Sequence, residues 1–220
     1  MNRTKIEWTN YSWNPITGCL HGCWYCYGRK MFERFHKSYE PTLYPSRLKE
    51  PYKLTKPSKI FVCSVADLFA SWTPREWTAK VLDSMLWCPT KHIFQMLTKN
   101  PERINLGDMR PVYPRNWWFG TTVTTQDDCW RIDALRQVDG NRFVSFEPLL
   151  GEIDPDLHNI DWVIVGKLTG SNKVKLKSSW LASILDEITD QQIPLFMKNN
   201  LLQAFPKMRL TQQFPKEMEA

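Results

Sequence analysis

The chain has 220 residues, of which 42% are hydrophobic and 24% charged, with a net charge of +6. That balance fits a folded globular domain with a full core and excludes a disordered chain or a disulfide-stapled mini-protein. No apolar run reaches membrane-spanning length and the opening Met1-Asn-Arg-Thr-Lys5 has no apolar signal segment, so a cytoplasmic protein is expected, with no membrane partner, whose six cysteines serve as metal ligands or core residues.

Short apolar runs rich in β-branched and aromatic residues predict strands over 12–15, 59–64, 92–98, 116–122, 142–147, 162–166 and 195–198. Several, such as Ile60-Phe-Val62 and Trp162-Val-Ile-Val165, are continuous rather than alternating, which predicts strands covered on both faces, as in a parallel sheet. The first strand is followed by a loop at 18–27 and a helix-like stretch at 25–35. After the second, Thr73 as N-cap and Pro74 at the first helical position predict a helix reaching residue 87. Asn100-Pro101, after the third, marks a turn or a helix start. Helical apolar spacing recurs over 125–138 and 178–188. The order reads as βα repeated six times across one domain, 1–220, with a seventh strand in a C-terminal extension over about 192–220. A closed eight-unit barrel needs roughly 250 residues. The expected fold is therefore α/β, an incomplete (β/α)6-type partial TIM barrel with parallel strands. The chain carries 11 Trp, 11 Phe and 7 Tyr, and rings in this number need a large core, a stacking surface or both; the Trp117-Trp118 pair reads as core.

In such folds the chemistry collects where the strands end. Ser64 and Asp67 follow the second strand, Thr98 and Lys99 the third, Thr122 and Thr124 the fourth, Glu147 the fifth, Lys167 the sixth, and Lys198 with Asn199 the last. Loops are polar anyway, so only convergence of these residues on one face would carry weight. Cys63, Cys88 and Cys129 read as core or surface thiols; a free thiol such as Cys63 can also donate a hydrogen atom.

The loop Gly18-Cys-Leu-His-Gly-Cys-Trp-Tyr-Cys-Tyr27 holds Cys19, Cys23 and Cys26 at C-x3-C-x2-C spacing. Three thiolates on one short loop can ligate three irons of a [4Fe–4S] cubane and leave the fourth open to a ligand. Gly18 and Gly22 permit the tight backbone this needs. A Cys3His zinc site with His21 is the rival reading. His21 then sits cramped between two other ligands, and no second C-x2-C pair lies downstream.

With Tyr25 as the aromatic of C-x3-C-x-aromatic-C, the loop resembles the radical SAM superfamily. The chain is similar to the phage Gp37/Gp68-like radical SAM family along nearly its whole length. The matching stretches are Trp13-Asn-Pro-Ile-Thr-Gly-Cys19, Phe61-Val-Cys-Ser-Val-Ala-Asp-Leu-Phe69, Phe94-Gln-Met-Leu-Thr-Lys-Asn-Pro-Glu-Arg103, Ser145-Phe-Glu-Pro-Leu-Leu-Gly151 and Ile160-Asp-Trp-Val-Ile-Val-Gly166. It departs in three places. Gly166-Lys-Leu-Thr-Gly170 stands where a Gly-Gly-Glu-Ser-Gly-like run is common, Thr122 and Thr124 stand where Ser and Glu are usual, and Cys63 replaces a common Asn.

The resemblance implies a [4Fe–4S] cluster on Cys19, Cys23 and Cys26, S-adenosylmethionine chelated by its open iron, and a 5′-deoxyadenosyl radical that abstracts hydrogen from a substrate. It implies an external electron donor of flavodoxin or ferredoxin type. Ser64 and Asp67 would accept from the methionyl ammonium; Asp67 could equally be a cap. Thr122 and Thr124 would bond the ribose or carboxylate, or be β-branched strand filler. Glu147 would contact ribose or substrate. Lys99, Lys167 and Lys198 would hold a phosphate or carboxylate on the substrate, or be solvated surface lysines. Basicity, these lysines and the phage link favour a nucleobase, nucleotide or nucleic-acid substrate; a peptide or small metabolite stays open. Two other functions stay open: a zinc-stabilised nucleic-acid-binding module, and an Fe–S protein that has lost catalysis, as Lys167 in place of an acid suggests.

Overall fold

The computed structural model describes residues 1–105, 113–170 and 174–218. An eight-stranded sheet forms the centre, in the spatial order β1 (Asn2–Arg3), β2 (Tyr11–Trp13), β5 (Lys59–Val62), β6 (Ile93–Thr98), β7 (Trp117–Thr122), β8 (Asn141–Leu149), β9 (Trp162–Lys167), β10 (Leu195–Met197). All neighbours run parallel except the β1–β2 pair at one edge. A small antiparallel pair, β3 (Ile16–Thr17) and β4 (Thr42–Leu43), flanks the cysteine loop. The seven strands from β2 to β10 in this sheet match the seven read from the sequence, with ends displaced by up to two residues. The two-residue strands β1, β3 and β4 are too short to carry a pattern.

The helices α1 (Tyr27–Arg34), α2 (Arg75–Leu86), α3 (Trp130–Leu135) and α4 (Ser178–Asp190) fill four of the six crossovers. The sixfold βα reading is corrected here. Among the described residues, the β6–β7 connection has only a 3-10 turn at Pro101–Arg103, and the β8–β9 connection has no helix. In the latter, Gly151, Pro155 and four aspartates or asparagines break any helical run. The reading of Thr73 as N-cap is corrected too. Pro74 is the cap residue, and the Thr73 hydroxyl instead donates to the Asp67 carbonyl at 2.9 Å. No helix among the described residues is long and apolar enough to cross a membrane.

The outer face of the sheet packs on the helices. Val81, Leu82 and Met85 of α2, Ile132 and Leu135 of α3, and Leu181, Ile184 and Ile188 of α4 share one buried cluster with Ile60, Phe94, Phe119, Val144 and Val163. The inner face has its own cluster: Trp8, Phe61, Ile93, Trp118, Phe143, Trp162, Ile164, Phe196 and Met218. Its geometry reports the curvature. In a flat sheet, β5 and β9 would lie about 19 Å apart at normal strand spacing. Yet the Trp8 ring centroid is 4.8 Å from Phe61 on β5 and 6.2 Å from Trp162 on β9. The sheet therefore curls around Trp8. The backbone N–H of Asn199, after β10, donates to Glu7 at 2.8 Å and draws the far edge toward the N-terminal segment.

Along each strand the inward positions change character with period 2. β8 runs Phe143, Ser145, Glu147; β7 runs Trp118, Gly120, Thr122; β6 runs Ile93, Gln95, Leu97, Lys99. Each begins in the apolar plug and ends at a cavity. Gly120 is required by the plug, since a Cβ there would collide with the Phe143 ring.

Candidate functional site

The cavity lies at the C-terminal ends of the parallel strands and has a volume of about 410 Å³. It is lined by residues from the cysteine loop and from the end of every strand from β5 to β10. Of the residues singled out in the sequence, Cys19, Cys23, Cys26, Ser64, Asp67, Lys99, Thr122, Glu147 and Lys198 all line it. Thr124 and Lys167 do not.

The loop is held from several sides. Gly18 has φ +90, which L side chains rarely adopt, and a Cβ there would strike the Glu40 carbonyl. The Cys19 N–H donates to Tyr39 O at 3.2 Å, and the Arg29 guanidinium donates to Cys19 O at 3.1 Å. Cys26 caps α1, its sulfur accepting from the Arg29 N–H at 3.4 Å. The Tyr39 hydroxyl lies 3.6 Å from that sulfur. Burial, with the other two thiols and Asp67 nearby, pushes the Cys19 thiol up to about 12.

His21 lines the cavity together with its flanking cysteines. Its Nε2 lies 2.7 Å from Asp67 Oδ2, and Trp72 meets the ring edge-on at 4.7 Å. Asp67 also accepts from the Thr98 hydroxyl at 2.6 Å, the Lys99 N–H at 2.9 Å and the Phe69 N–H at 3.1 Å. One buried carboxylate thus ties the loop to the ends of two strands, with both oxygens fully used. Among the described residues, no group of three His, Cys, Asp or Glu side chains is gathered so as to hold a metal ion.

The Ser64 hydroxyl donates to Asn14 Oδ1 at 3.2 Å, and its carbonyl accepts from the Tyr27 hydroxyl at 2.6 Å. Cys63 is buried at φ 57, the left-handed region, and burial pushes its thiol up to about 12. Cys88 and Cys129 lie outside the cavity lining. Glu147 and Lys198 form an ion pair across the cavity wall. Gly166 makes room for it, because a Cβ there would stand 3.0 Å from Lys198 Cδ and 3.3 Å from Glu147 Cδ. Lys99 Nζ donates to the Tyr25 hydroxyl at 3.2 Å, and burial lowers its pKa. Burial also lifts the Tyr25 phenol, above its ordinary value.

The two outliers have other work. Thr124 donates its hydroxyl and N–H to Asp128 Oδ2 at 2.7 and 2.9 Å. Burial raises the Asp128 carboxyl, but these two bonds and Arg131 outweigh it and the net shift is downward. Lys167 Nζ donates to Gln203 at 3.2 Å on the outside. Sequence reasoning missed Asn14, Tyr27, Tyr39 and Ser145 as parts of this site. Asn14 and Ser145 lie in stretches already noted for their strand ends; Tyr39 sits in irregular chain and carries no signal.

A family model described as "Protein of unknown function (DUF5131)" matches residues 3–210. No curated protein and no solved structure matches the chain. The match runs from β1 past β10 and takes in every residue of the cavity, and the chain accordingly belongs to this family of proteins of unknown function.

Proposed function

We propose that the chain is a radical SAM enzyme built on a partial (β/α) barrel, with a [4Fe–4S] cluster on Cys19, Cys23 and Cys26 and S-adenosylmethionine in the adjoining cavity. The observation that carries this is convergence. Three thiols at C-x3-C-x2-C spacing open on the same cavity as polar groups from the ends of successive parallel strands. The donor set fits the group. Cys19, Cys23 and Cys26 lie on one short loop at the cavity, and three thiols for a four-iron cluster leave one iron with no protein ligand.

The chemistry such a cluster supplies when bound is one-electron reduction of the sulfonium, which releases the 5′-deoxyadenosyl radical for hydrogen abstraction. The chain's own residues do the rest. Asp67 fixes the loop through His21 and aligns the β6 end through Thr98 and Lys99. Asn14 accepts from the Ser64 hydroxyl and fixes it at the end of β5. The aromatic plug below Ser145 keeps water from entering through the base of the curl. The Glu147–Lys198 pair gives the far wall both an acceptor and a donor. An external donor of flavodoxin or ferredoxin type supplies the electron, and a nucleotide or nucleic acid is the substrate class favoured by the basic chain.

Anaerobic purification with iron, sulfide and zinc analysis, followed by dithionite and S-adenosylmethionine, tests the reading. About four irons and four sulfides per chain, and 5′-deoxyadenosine that disappears in the triple Cys→Ala variant, support it. A cluster without 5′-deoxyadenosine in any condition points to an inactive Fe–S protein. Stoichiometric zinc after failed reconstitution overturns it.

A further inference from the structure

The three lysines at the strand ends differ once their partners are known. Lys198 is neutralised by Glu147. Lys167 is outside the cavity and bonded to Gln203. Lys99 lines the cavity, is half-buried, and its ammonium has the neutral Tyr25 hydroxyl as its hydrogen-bond partner with no ion pair among the described residues. The acids nearest to it are committed elsewhere. Asp67 is filled by His21, Thr98 and two backbone N–H groups, and Asp128 by Thr124 and Arg131. Arg131 adds a second cation beyond Asp128. Cys23 also lies within electrostatic reach of it, but no carboxylate is bonded to the ammonium, and a partly desolvated ammonium gains from a ligand that brings a negative oxygen to it.

We propose that Lys99 is the anion-binding group of the cavity and takes a carboxylate or phosphate oxygen of the bound ligand. This rests on reading the cavity as the cofactor and substrate site. The two sources share one chemistry, a charge-assisted bond from Nζ, with Tyr25 holding the ammonium in place. Such a bond contributes about tenfold or more in affinity.

The test uses the full chain, with and without reconstituted iron, at fixed ionic strength. Wild type, Lys99→Gln and Lys99→Arg are titrated with inorganic pyrophosphate, S-adenosylmethionine and decarboxylated S-adenosylmethionine, followed by calorimetry. Tighter binding of S-adenosylmethionine than of its decarboxylated form, lost by about tenfold in Lys99→Gln and kept in Lys99→Arg, assigns the anion to the methionyl carboxylate. Pyrophosphate binding lost in the same pattern assigns it to a phosphate of the substrate. Equal affinities of wild type and Lys99→Gln for all three probes overturn the proposal, as does a Lys99→Gln effect confined to iron content. If Lys99→Gln misfolds, Lys99→Met takes its place with the same three probes, and equal affinities of that variant and wild type overturn the proposal. The pyrophosphate arm needs no iron, so it stands apart from failure of the radical SAM reading, which shows as zinc or absent 5′-deoxyadenosine.

Discussion

Phe143 and Ser145 are two residues apart on β8 and point the same way, yet they belong to different worlds. Phe143 is buried among Trp8, Trp162 and Gly120. Ser145 is equally buried but forms part of the cavity lining beside Thr122 and Glu147. The inner face of one curled sheet is thus divided at mid-strand into an aromatic base and a polar mouth. The rings are concentrated in the first and the candidate site residues in the second. The division has a physical origin, because large rings fill the narrow end of the curl and polar groups tolerate burial only where partners or ligands reach them.

The comparison can be broken from either side. The largest effect is expected at the base. Trp162 touches Trp8, Trp118, Phe143 and Phe196, and its indole N–H donates to Gln213 O at 3.0 Å. Trp162→Ala should cost about 3–5 kcal/mol in urea unfolding, while the folded fraction still takes up iron. Loss of iron uptake by folded protein would show that base and mouth are not separate. Asp67→Asn attacks the mouth. It replaces a buried carboxylate that has four partners and should cost about 1.5–3 kcal/mol. Unlike Trp162→Ala, it should also lower iron retained after reconstitution, because His21 and the loop lose their anchor. Gly120→Ala sits on the boundary. Overpacking against Phe143 should cost about 1–3 kcal/mol, and nuclear magnetic resonance should place the disturbance in the base.

The smallest effect is one of pH, away from both regions. His92 is fully buried, with Nε2 3.1 Å from Pro51 O and no partner for Nδ1 among the described residues. Burial lowers its pKa in the folded chain. Below about pH 6.5 the unfolded chain takes up a proton that the folded chain refuses. Stability should therefore fall as pH drops from 7 toward 5, and His92→Gln should flatten that slope. Parallel slopes for the two proteins would exclude His92 as the source.

Much of this was legible in the sequence. Seven strands could be read because Ile60-Phe-Val62 and Trp162-Val-Ile-Val165 are runs that only doubly covered strands use. That same double coverage hid the division of the inner face. Where both faces are buried, period-2 alternation is masked, and nothing marks Phe143 as base and Ser145 as mouth until the curl is known. The cysteine loop was read from its spacing and from the family resemblance that Tyr25 completes. The tie between His21 and Asp67 was not, since 46 residues separate them. Thr124 and Lys167 show the limit of counting from strand ends. One residue of displacement turns a side chain to the other face, which puts Lys167 outside while its neighbours Leu168 and Thr169 line the cavity.

The base of the curl also sets an order in time. Gln95 Nε2 donates to Trp8 O at 3.2 Å and lies 3.8 Å from Met218 Sδ, and Lys59 Nζ donates to Met218 O at 3.4 Å. Residues 8 and 218 are thus sealed into the same pocket of the sheet. During synthesis the early strands leave the ribosome long before Met218 exists, so their aromatic inner faces must wait unsealed. Contacts this distant in sequence form late and slowly, and a nascent chain stalled short of its last strand would present those rings to chaperones rather than to each other.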